Sequence, residues 1–306
     1  MLCLKARAKI NWSLNITGRR EDGYHLMDML MQSVTLADTV TITPSERLEL
    51  AVTTAYRSVT SREAAAAEPV PVDERNIAFK AAIALQNHTG CKKGAKICLE
   101  KRIPSGAGMG GGSADAAAVL YGLNKLWQLE LSPVALREIG LKLGADVPFM
   151  LTGGLARVSS IGEKIVPLSP APSVWLVLLQ PCDGLSTKEI FTAYDSPDKD
   201  TLVSRPRTEE AQTALLTGDL TGVGAAMDNV LEAISVAKRP AIRAAGQMLE
   251  AAGAIRAMMT GSGSVVYGVF PDQESAANAH AQLAAKGLKP LLTCTAEAGI
   301  VEIDHF

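Results

Sequence analysis

The amino-acid sequence predicts a mixed α/β (α+β) protein, and three observations carry this prediction. The chain has 306 residues, a length that suggests two domains or one large one, and 47% of them are hydrophobic, enough for a substantial core. Segments with alternating apolar residues, which favour strands, are interleaved with segments whose apolar residues recur at helical spacing. Three prolines between residues 167 and 172 are typical of a linker, so we expect domains at 1–165 and 166–306.

The first half of the chain opens with apolar alternation. Residues 4–16 predict one or two strands and residues 34–43 predict another, whereas the polar, glycine-containing stretch 18–24 predicts a loop. Residues 51–72 are rich in alanine, threonine, serine and proline, and we interpret them as an irregular insertion. The apolar seam within residues 76–87 predicts a helix.

A glycine-rich loop separates the next predicted strand from two predicted helices. The strand covers residues 95–99, and the helix after the loop covers 114–127, with Ser113 as its N-cap. The second helix covers 133–143, with Ser132 as its N-cap and a proline at its first position.

The second half repeats the alternation of strands and helices. Its last three segments fit a split βαβ unit, and no internal repeat is evident. The predicted elements are a strand at 174–179, helices at 209–217, 222–235 and 240–253, a strand at 264–270, a helix at 273–286 and a strand at 291–295.

Charge and composition exclude several classes of function. Charged residues make up 20% of the chain and the net charge is −2, which argues against a nucleic-acid-binding protein. The five cysteines and four histidines are scattered, so the sequence predicts neither a disulfide framework nor a metal cluster. No signal-peptide core and no apolar run of membrane-spanning length is found. We therefore expect a soluble cytoplasmic protein without a membrane partner.

The glycine-rich loop is the most informative functional feature. Five glycines fall within seven positions, at Gly106, Gly108, Gly110, Gly111 and Gly112. Glycine lets a backbone approach a bulky anion closely and turn its N–H groups inward. The N-terminus of the following helix adds a partial positive charge at the same place. The loop therefore predicts a phosphate cradle and a nucleotide ligand.

Three other interpretations of the loop are weaker. Its glycine spacing formally matches the dinucleotide fingerprint, but the acidic residue required at the end of a second strand would here fall between two helices. No Gly-x-x-x-x-Gly-Lys-Ser/Thr motif occurs, which excludes a Walker P-loop. The third alternative is a flexible loop without a ligand, but a predicted strand and a predicted helix start bracket this loop.

The arrangement Pro104-x-x-x-Gly108-Met109-Gly110 resembles the ATP-binding signature of the GHMP kinase superfamily, which includes galactokinase, homoserine kinase and mevalonate kinase. Three further stretches, in the same order along the chain, resemble the superfamily. They are Ala8 to Leu14 together with Asp22-Gly23-Tyr24-His25, then Leu143 to Phe149, and Thr260-Gly261-Ser262-Gly263. The first of these resembles a branch that serves isoprenoid synthesis and takes a substrate bearing cytidine diphosphate.

The resemblance implies a fold and a chemistry. The fold is the two-domain GHMP kinase fold, with an N-terminal ribosomal-protein-S5-like domain, a C-terminal ferredoxin-like domain and the active site in the cleft. The chemistry is transfer of the γ-phosphoryl group of ATP, accompanied by Mg²⁺, to an alcohol. The residues implied to hold the nucleotide are Lys101, Pro104, Gly106, Gly108, Gly110, Gly111, Gly112 and Ser113.

At two positions the sequence leaves open the residue roles that the resemblance implies. Many relatives have a second serine where this chain has Ala114, so no protein ligand is assigned to the metal. Lys101 precedes the loop, where a solvated charge at the end of a strand is the local alternative. Asn76 is expected near the adenine, and Gly261 and Gly263 are expected to form a turn that closes on the substrate.

The implied catalytic residues are Lys9 and Asp146. An alcohol is a poor nucleophile until its proton has an acceptor, and a carboxylate supplies one. A lysine on an apolar strand is costly to bury unless it is paired, and pairing with Asp146 would orient the substrate hydroxyl. Locally, the alternatives are a capping aspartate in a connector and an exposed lysine on an edge strand.

The implied substrate residues are Asn11, Tyr24, His25, Thr187 and Phe191. Tyr24 and Phe191 would stack on a cytosine and His25 would recognise its edge. For each aromatic residue the local alternative is a place in the core. The expected partner is thus a small-molecule cytidine diphosphate substrate, and the protein is expected to be a monomer or weak homodimer. Another GHMP kinase and a non-catalytic nucleotide-binding protein are the alternative functions.

Overall fold

The computed structural model describes residues 1–55, 70–169, 173–196 and 204–303. Within these ranges, strands and helices of both halves build one layered α/β structure around a twelve-stranded sheet, which confirms the predicted fold class. The described part of the chain contains no helix that is long and apolar enough to cross a membrane. Residues 56–69 of the expected insertion and 170–172 of the expected linker lie outside the described ranges.

The N-terminal half combines long antiparallel strands with a layer of helices. Its elements are β1 (Leu2–Arg19), β2 (His25–Ser45), β3 (Leu48–Thr54), α1 (Ile77–Thr89), β4 (Gly94–Lys101), α2 (Gly111–Trp127), α3 (Pro133–Leu143), α4 (Val147–Thr152), β5 (Leu155–Ser160) and β6 (Lys164–Leu168).

The C-terminal half alternates short strands and helices. Its elements are β7 (Trp175–Leu179), α5 (Thr187–Tyr194), α6 (Thr208–Thr217), α7 (Leu220–Ala226), β8 (Asp228–Asn229), α8 (Glu232–Lys238), α9 (Ala241–Ala251), β9 (Arg256–Met259), β10 (Val266–Phe270), α10 (Gln273–Ala285), β11 (Leu291–Ala296) and β12 (Ile300–Glu302).

Four C-terminal strands form an antiparallel sheet in the order β11-β7-β10-β9. Numbered along the chain, this order is 4-1-3-2, and α9 and α10 pack against it. Helical segments separate the first strand from the second and α10 separates the third from the fourth, which is the ferredoxin-like arrangement. The expected split βαβ unit is confirmed in β10, α10 and β11.

The two halves share a continuous core. Trp12 of β1 packs edge-to-face on Tyr267 of β10, with ring centroids 5.7 Å apart. The Tyr267 hydroxyl donates a 2.7 Å hydrogen bond to the Asn11 carbonyl. In addition, β12 of the C-terminal half pairs antiparallel with β1 of the N-terminal half. A division between residues 165 and 166 therefore stays a prediction, with strand pairing running across it.

Four sequence predictions about elements were wrong in detail. Residues 51–54 belong to β3, which pairs in parallel with β4. Pro167 lies in β6, which among the described strands pairs with β5 alone; a proline is tolerated at such a sheet edge. The predicted helix 222–235 is broken by β8. The N-cap of α2 is Gly110, at φ 69°, and Ser113 lies inside the helix. The predicted Ser132 cap is confirmed by its bond from the Ala135 amide.

Candidate functional site

A cavity of about 800 Å³ opens between the glycine loop, the β1–β2 hairpin, α5 and the turn at residues 260–263. It also reaches the start of α1, where Asn76 lines it. All the site residues expected from the sequence line this cavity, with one exception, Asn11. The cavity-lining members are Lys9, Tyr24, His25, Lys101, Pro104, Gly106, Gly108, Gly110, Gly111, Gly112, Ser113, Asp146, Thr187 and Phe191.

The glycine loop depends on glycine for its shape and for its neighbours. Gly106, Gly108 and Gly110 all have positive φ, at 62°, 75° and 69°. A Cβ at Gly108 would overlap the carbonyl oxygen of Thr260, and a Cβ at Gly110 would overlap the Met150 side chain. The loop leads directly into α2, whose first amide groups have no partner within the helix. A glycine loop that leads into a helix N-terminus at a cavity wall is the arrangement that commonly binds anions in proteins.

Lys9 and Asp146 meet beside the loop. The Lys9 Nζ lies 3.8 Å from Asp146 Oδ2, and a Cβ at Gly110 would lie 3.4 Å from the same carboxylate oxygen. Asp146 precedes α4 at the N-cap position, yet its side chain makes no capping hydrogen bond. The lysine is buried and the carboxylate is 34% exposed. Neither local alternative, the capping aspartate or the exposed lysine, describes this pair.

Lys9 is held by the elements around it. Its backbone amide donates a 3.1 Å hydrogen bond to the carbonyl of Met109 in the glycine loop. Its Nζ donates to Asn11 Oδ1 at 2.8 Å. Burial lowers the pKa of the Lys9 ammonium, and the charge of Asp146 opposes this effect in part. The charge of Lys9 is therefore only partly compensated.

Asn11 lies behind Lys9 and is fully buried, which is why it does not line the cavity. Its Oδ1 accepts from the Gly261 amide at 3.2 Å as well as from Lys9. Its backbone N–H donates to the Thr260 hydroxyl at 3.1 Å. In this position Asn11 ties the buried lysine to the glycine turn of the second half.

An aromatic arm of the cavity is made of Tyr24, His25, Thr187 and Phe191. The Tyr24 side chain is 61% exposed, so it is available to a ligand and is not a core residue. The rings of His25 and Phe191 pack at 4.9 Å between centroids. Thr187, at the start of α5, shares a 3.0 Å hydrogen bond with Ser262.

Lys101 is neither a free nucleotide ligand nor a solvated strand-end charge. Its Nζ donates to Asp38 Oδ2 and to Asp115 Oδ2, and all three residues are buried. Asp38 Oδ1 also accepts from the Ile103 amide at 2.8 Å. This triad therefore joins β2, the end of β4 and the first turns of α2 at the two ends of the glycine loop.

The triad shifts the protonation of its members. Burial lowers the pKa of Lys101, but Asp115 and Asp38 together raise it above its usual value. Burial raises the pKa of Asp115 to about 7, because Asp38 adds to this effect and Lys101 offsets only part of it. Asp115 Oδ1 has no hydrogen-bond partner among the described residues.

Sequence reasoning missed Asp38, Asp115 and Asn229. Asn229 lies in β8, inside the segment predicted as a helix, and its Nδ2 donates to the carbonyls of Met259 and Gly261 at 2.9 and 2.8 Å. Asp38 could have been recognised from the sequence, because it is a charged residue within a segment of alternating apolar residues. Asp115 could also have been recognised, as a carboxylate on the apolar side of a helix.

The two halves of the chain match the two GHMP kinase family models. The GHMP kinases N terminal domain matches residues 76–154, and the GHMP kinases C terminal domain matches residues 211–289. Among solved structures, a crystal structure of 4-(cytidine 5'-diphospho)-2C-methyl-D-erythritol kinase superposes with a TM-score of 0.77 and 31% identity, covering 96% of this chain and 99% of that one. Homoserine kinase from Cytophaga hutchinsonii shares the fold, with a TM-score of 0.69 at 20% identity, over 99% of this chain and 97% of its own.

Curated relatives are closer in sequence. The 4-diphosphocytidyl-2-C-methyl-D-erythritol kinase of Alkaliphilus metalliredigens is 40% identical over 92% of this chain and 91% of its own length. The enzyme of the same name from Clostridioides difficile is 41% identical over 89% of this chain and 88% of its own. These matches confirm the resemblance expected from the four motifs. The chain therefore belongs to the GHMP kinase superfamily and, within it, to the 4-diphosphocytidyl-2-C-methyl-D-erythritol kinase family.

Proposed function

We propose that this chain transfers the γ-phosphoryl group of ATP to the 2-hydroxyl of 4-diphosphocytidyl-2-C-methyl-D-erythritol. The observation that carries the proposal is the pairing of Lys9 with Asp146 beside the glycine loop, in one cavity with the aromatic arm. Phosphoryl transfer requires positioning and charge neutralisation more than covalent participation. The cavity combines the glycine loop, a candidate phosphate cradle, with aromatic and hydrogen-bonding side chains.

In this proposal Asp146 accepts the hydrogen of the attacking hydroxyl. The substrate oxygen bonds to the γ-phosphorus, its proton passes to the carboxylate, and the bond from the γ-phosphorus to the β,γ-bridging oxygen breaks to release ADP. The buried Lys9 ammonium lies 3.8 Å from the carboxylate, where it offsets negative charge and orients the reacting groups. Asn11 positions Lys9 through its 2.8 Å hydrogen bond rather than by touching the substrate.

The oxygen donors beside the loop fit Mg²⁺ that arrives with ATP. Mg²⁺ usually keeps several waters and binds one or two protein oxygens together with phosphate oxygens. Among the described residues there is no group of three or more histidine, cysteine, aspartate or glutamate side chains that could hold a metal without a nucleotide. The Ser113 hydroxyl and the Asp146 carboxylate are the candidate protein ligands. When bound, Mg²⁺ neutralises charge on the phosphates.

The aromatic arm is assigned to the cytidine end of the substrate. Tyr24 and Phe191 offer ring faces for stacking and His25 offers a polar edge. The part of the cavity that Asn76 and Ile77 line is assigned to the adenosine. We further propose that the protein acts in the cytoplasm as a monomer or weak homodimer, which light scattering at assay concentrations tests directly.

The test is an acceptor comparison with the purified protein, ATP and Mg²⁺. ADP release is followed with the diphosphocytidyl substrate, with homoserine and with mevalonate, and the product is examined for a new phosphomonoester at the 2-hydroxyl by ³¹P NMR. We expect turnover with the first acceptor alone. Faster turnover with homoserine or mevalonate would place the chain in another branch, and ATP binding without ADP release would favour a non-catalytic role.

A further inference from the structure

A carboxylate outside the reacting centre contacts the histidine of the aromatic arm. Asp195, the residue after α5, accepts from His25 Nε2 through its Oδ1 at 2.8 Å. Its Oδ2 lies 3.3 Å from an Nη of Arg19, at the end of β1. The carboxylate thereby joins a C-terminal helix to the N-terminal hairpin across one wall of the cavity.

The contact with Asp195 selects one form of the neutral imidazole ring. An ionised carboxylate accepts hydrogen bonds and cannot donate them, so the hydrogen must lie on His25 Nε2. Arg19 places a positive charge beside the same carboxylate. In a neutral ring with the hydrogen on Nε2, the other nitrogen, Nδ1, is an acceptor.

The remaining nitrogen is available to a ligand. Within the described residues Nδ1 forms no hydrogen bond, and His25 lines the cavity with 13% of its side chain exposed. Packing of the ring on Phe191 and, edge-on, on Tyr194 fixes its plane. The acceptor is therefore held in one orientation, on the aromatic arm.

We propose that Asp195 is a specificity-determining positioning residue, which fixes Nδ1 of His25 as an acceptor for the exocyclic amino group of cytosine and so favours cytidine over uridine diphosphates. The inference rests on the proposed function, because it assumes that the aromatic arm receives a pyrimidine nucleotide.

The chemistry of the two bases gives the selectivity its sign. Cytosine presents an amino donor at position 4, whereas uracil presents a carbonyl acceptor there. A fixed acceptor on His25 gains a hydrogen bond from cytosine and faces a second set of lone pairs from uracil. A site built around one polarity of hydrogen bond rejects the opposite polarity because both buried acceptors are left unpaired.

The test compares CDP and UDP affinities by calorimetry at about pH 8, where an ordinary histidine is neutral. The variant is Asp195→Asn, whose amide can present either an oxygen or an NH₂ group to Nε2, so neither ring form is enforced. Glu189→Gln is the matched control, because it removes one negative charge from an exposed position of α5, the helix that precedes Asp195. Nitrogen-15 NMR of the ligand-free wild type reports which ring nitrogen of His25 carries the hydrogen.

We expect the wild type and Glu189→Gln to prefer CDP by at least about tenfold, a factor that one well-placed hydrogen bond supplies. In Asp195→Asn this preference should narrow to below about threefold, with UDP binding unchanged or tighter. NMR should place the hydrogen on Nε2 in the wild type.

Two results would overturn the inference while leaving the proposed function intact. One is an equal loss of CDP and UDP affinity in Asp195→Asn, which would make the carboxylate a structural clamp. The other is a hydrogen on Nδ1 in the wild type. A wild type that binds ATP but neither pyrimidine nucleotide would instead refute the proposed substrate, and the inference with it.

Discussion

Two buried lysines line the same cavity, and their surroundings differ. Lys9 faces one carboxylate, Asp146, at 3.8 Å, and that carboxylate is 34% exposed. Lys101 donates directly to two carboxylates, Asp38 and Asp115, whose side chains are 0% and 4% exposed. Burial therefore lowers the pKa of Lys9 on balance, whereas the two acidic partners raise that of Lys101.

This difference distinguishes Lys9, the lysine proposed to act in the reaction, from Lys101, which holds parts of the structure together. A buried cation that its neighbours neutralise only in part can still stabilise negative charge that develops nearby. A cation enclosed by two buried carboxyl groups is held by both of them, and Lys101 in this way joins the ends of the glycine loop. Burial and proximity to the loop would not distinguish the two residues; the number of acidic partners does.

The largest effect should come from removing the exposed partner of Lys9. Asp146→Asn should lower kcat by roughly 10²–10⁴-fold because the attacking hydroxyl loses its proton acceptor. The midpoint of thermal unfolding should stay near that of the wild type, since the carboxylate makes no capping bond. Near-normal turnover in this variant would remove Asp146 from the mechanism, with Glu138→Gln as the control for an exposed carboxylate on the adjacent helix α3.

Replacement by methionine should lower stability at Lys101 and abolish turnover at Lys9. Lys101→Met leaves two buried carboxylates without a cation, so the free energy of unfolding in urea should fall by about 3–5 kcal/mol. Lys9→Met removes a buried charge that is only partly compensated, so its stability should change by about 1 kcal/mol or less while turnover is lost. Equal losses of stability in the two variants would break the comparison.

Asp115 makes stability depend on pH in an unusual direction. Its pKa is raised from 3.8 to about 7 in the folded chain, so the native state binds the proton more tightly than the unfolded state does. Its contribution is fully present below pH 4 and is lost as the pH rises through about 7. The difference in unfolding free energy between wild type and Asp115→Asn should therefore shrink from pH 4 to pH 8 by roughly 4 kcal/mol, since one pKa unit corresponds to about 1.4 kcal/mol. A constant difference across that range would contradict the raised pKa.

The smallest effect should follow from making the Lys9 site resemble the Lys101 site. The lowered pKa of Lys9 means that the native state binds its proton less tightly, so this term strengthens folding as the pH rises from the folded pKa towards about 10.4. Asn11→Asp places a second acidic partner beside Nζ and should remove that rise. Asn11→Leu is the control that removes the hydrogen bond without adding charge; a similar change in both variants would exclude an electrostatic cause.

The sequence predicted the parts of the site that are local in the chain. The glycine loop and the start of its helix lie within a dozen residues, so spacing alone indicated a phosphate cradle. Lys9 and Asp146 were joined only through the resemblance to a family, because no periodicity relates positions so far apart. The class of fold followed from strands and helices with clear apolar patterns, such as β1 and α3.

The unpredicted features depend on contacts between distant segments. The Lys101–Asp38 pair spans 63 residues and needs the pairing of β2 with β4 to exist. Asn229 interrupts a helix-like pattern because β8 pairs with β1, a partner that a local window does not contain. Asn11 was expected at the substrate, but its strand directs it away from the cavity towards Gly261.

The contact between the glycine loop and the turn at residues 260–263 limits how the chain can be recombined. A Cβ at Gly108 would strike the Thr260 carbonyl, and a Cβ at Gly261 would lie 2.7 Å from the Gly108 carbonyl oxygen. The two halves therefore pack backbone against backbone here, and neither glycine position has room for a side chain. Hybrid enzymes that take their C-terminal half from a distant homologue must keep glycine at positions 108 and 261. A side chain at either position would prevent the two halves from packing together.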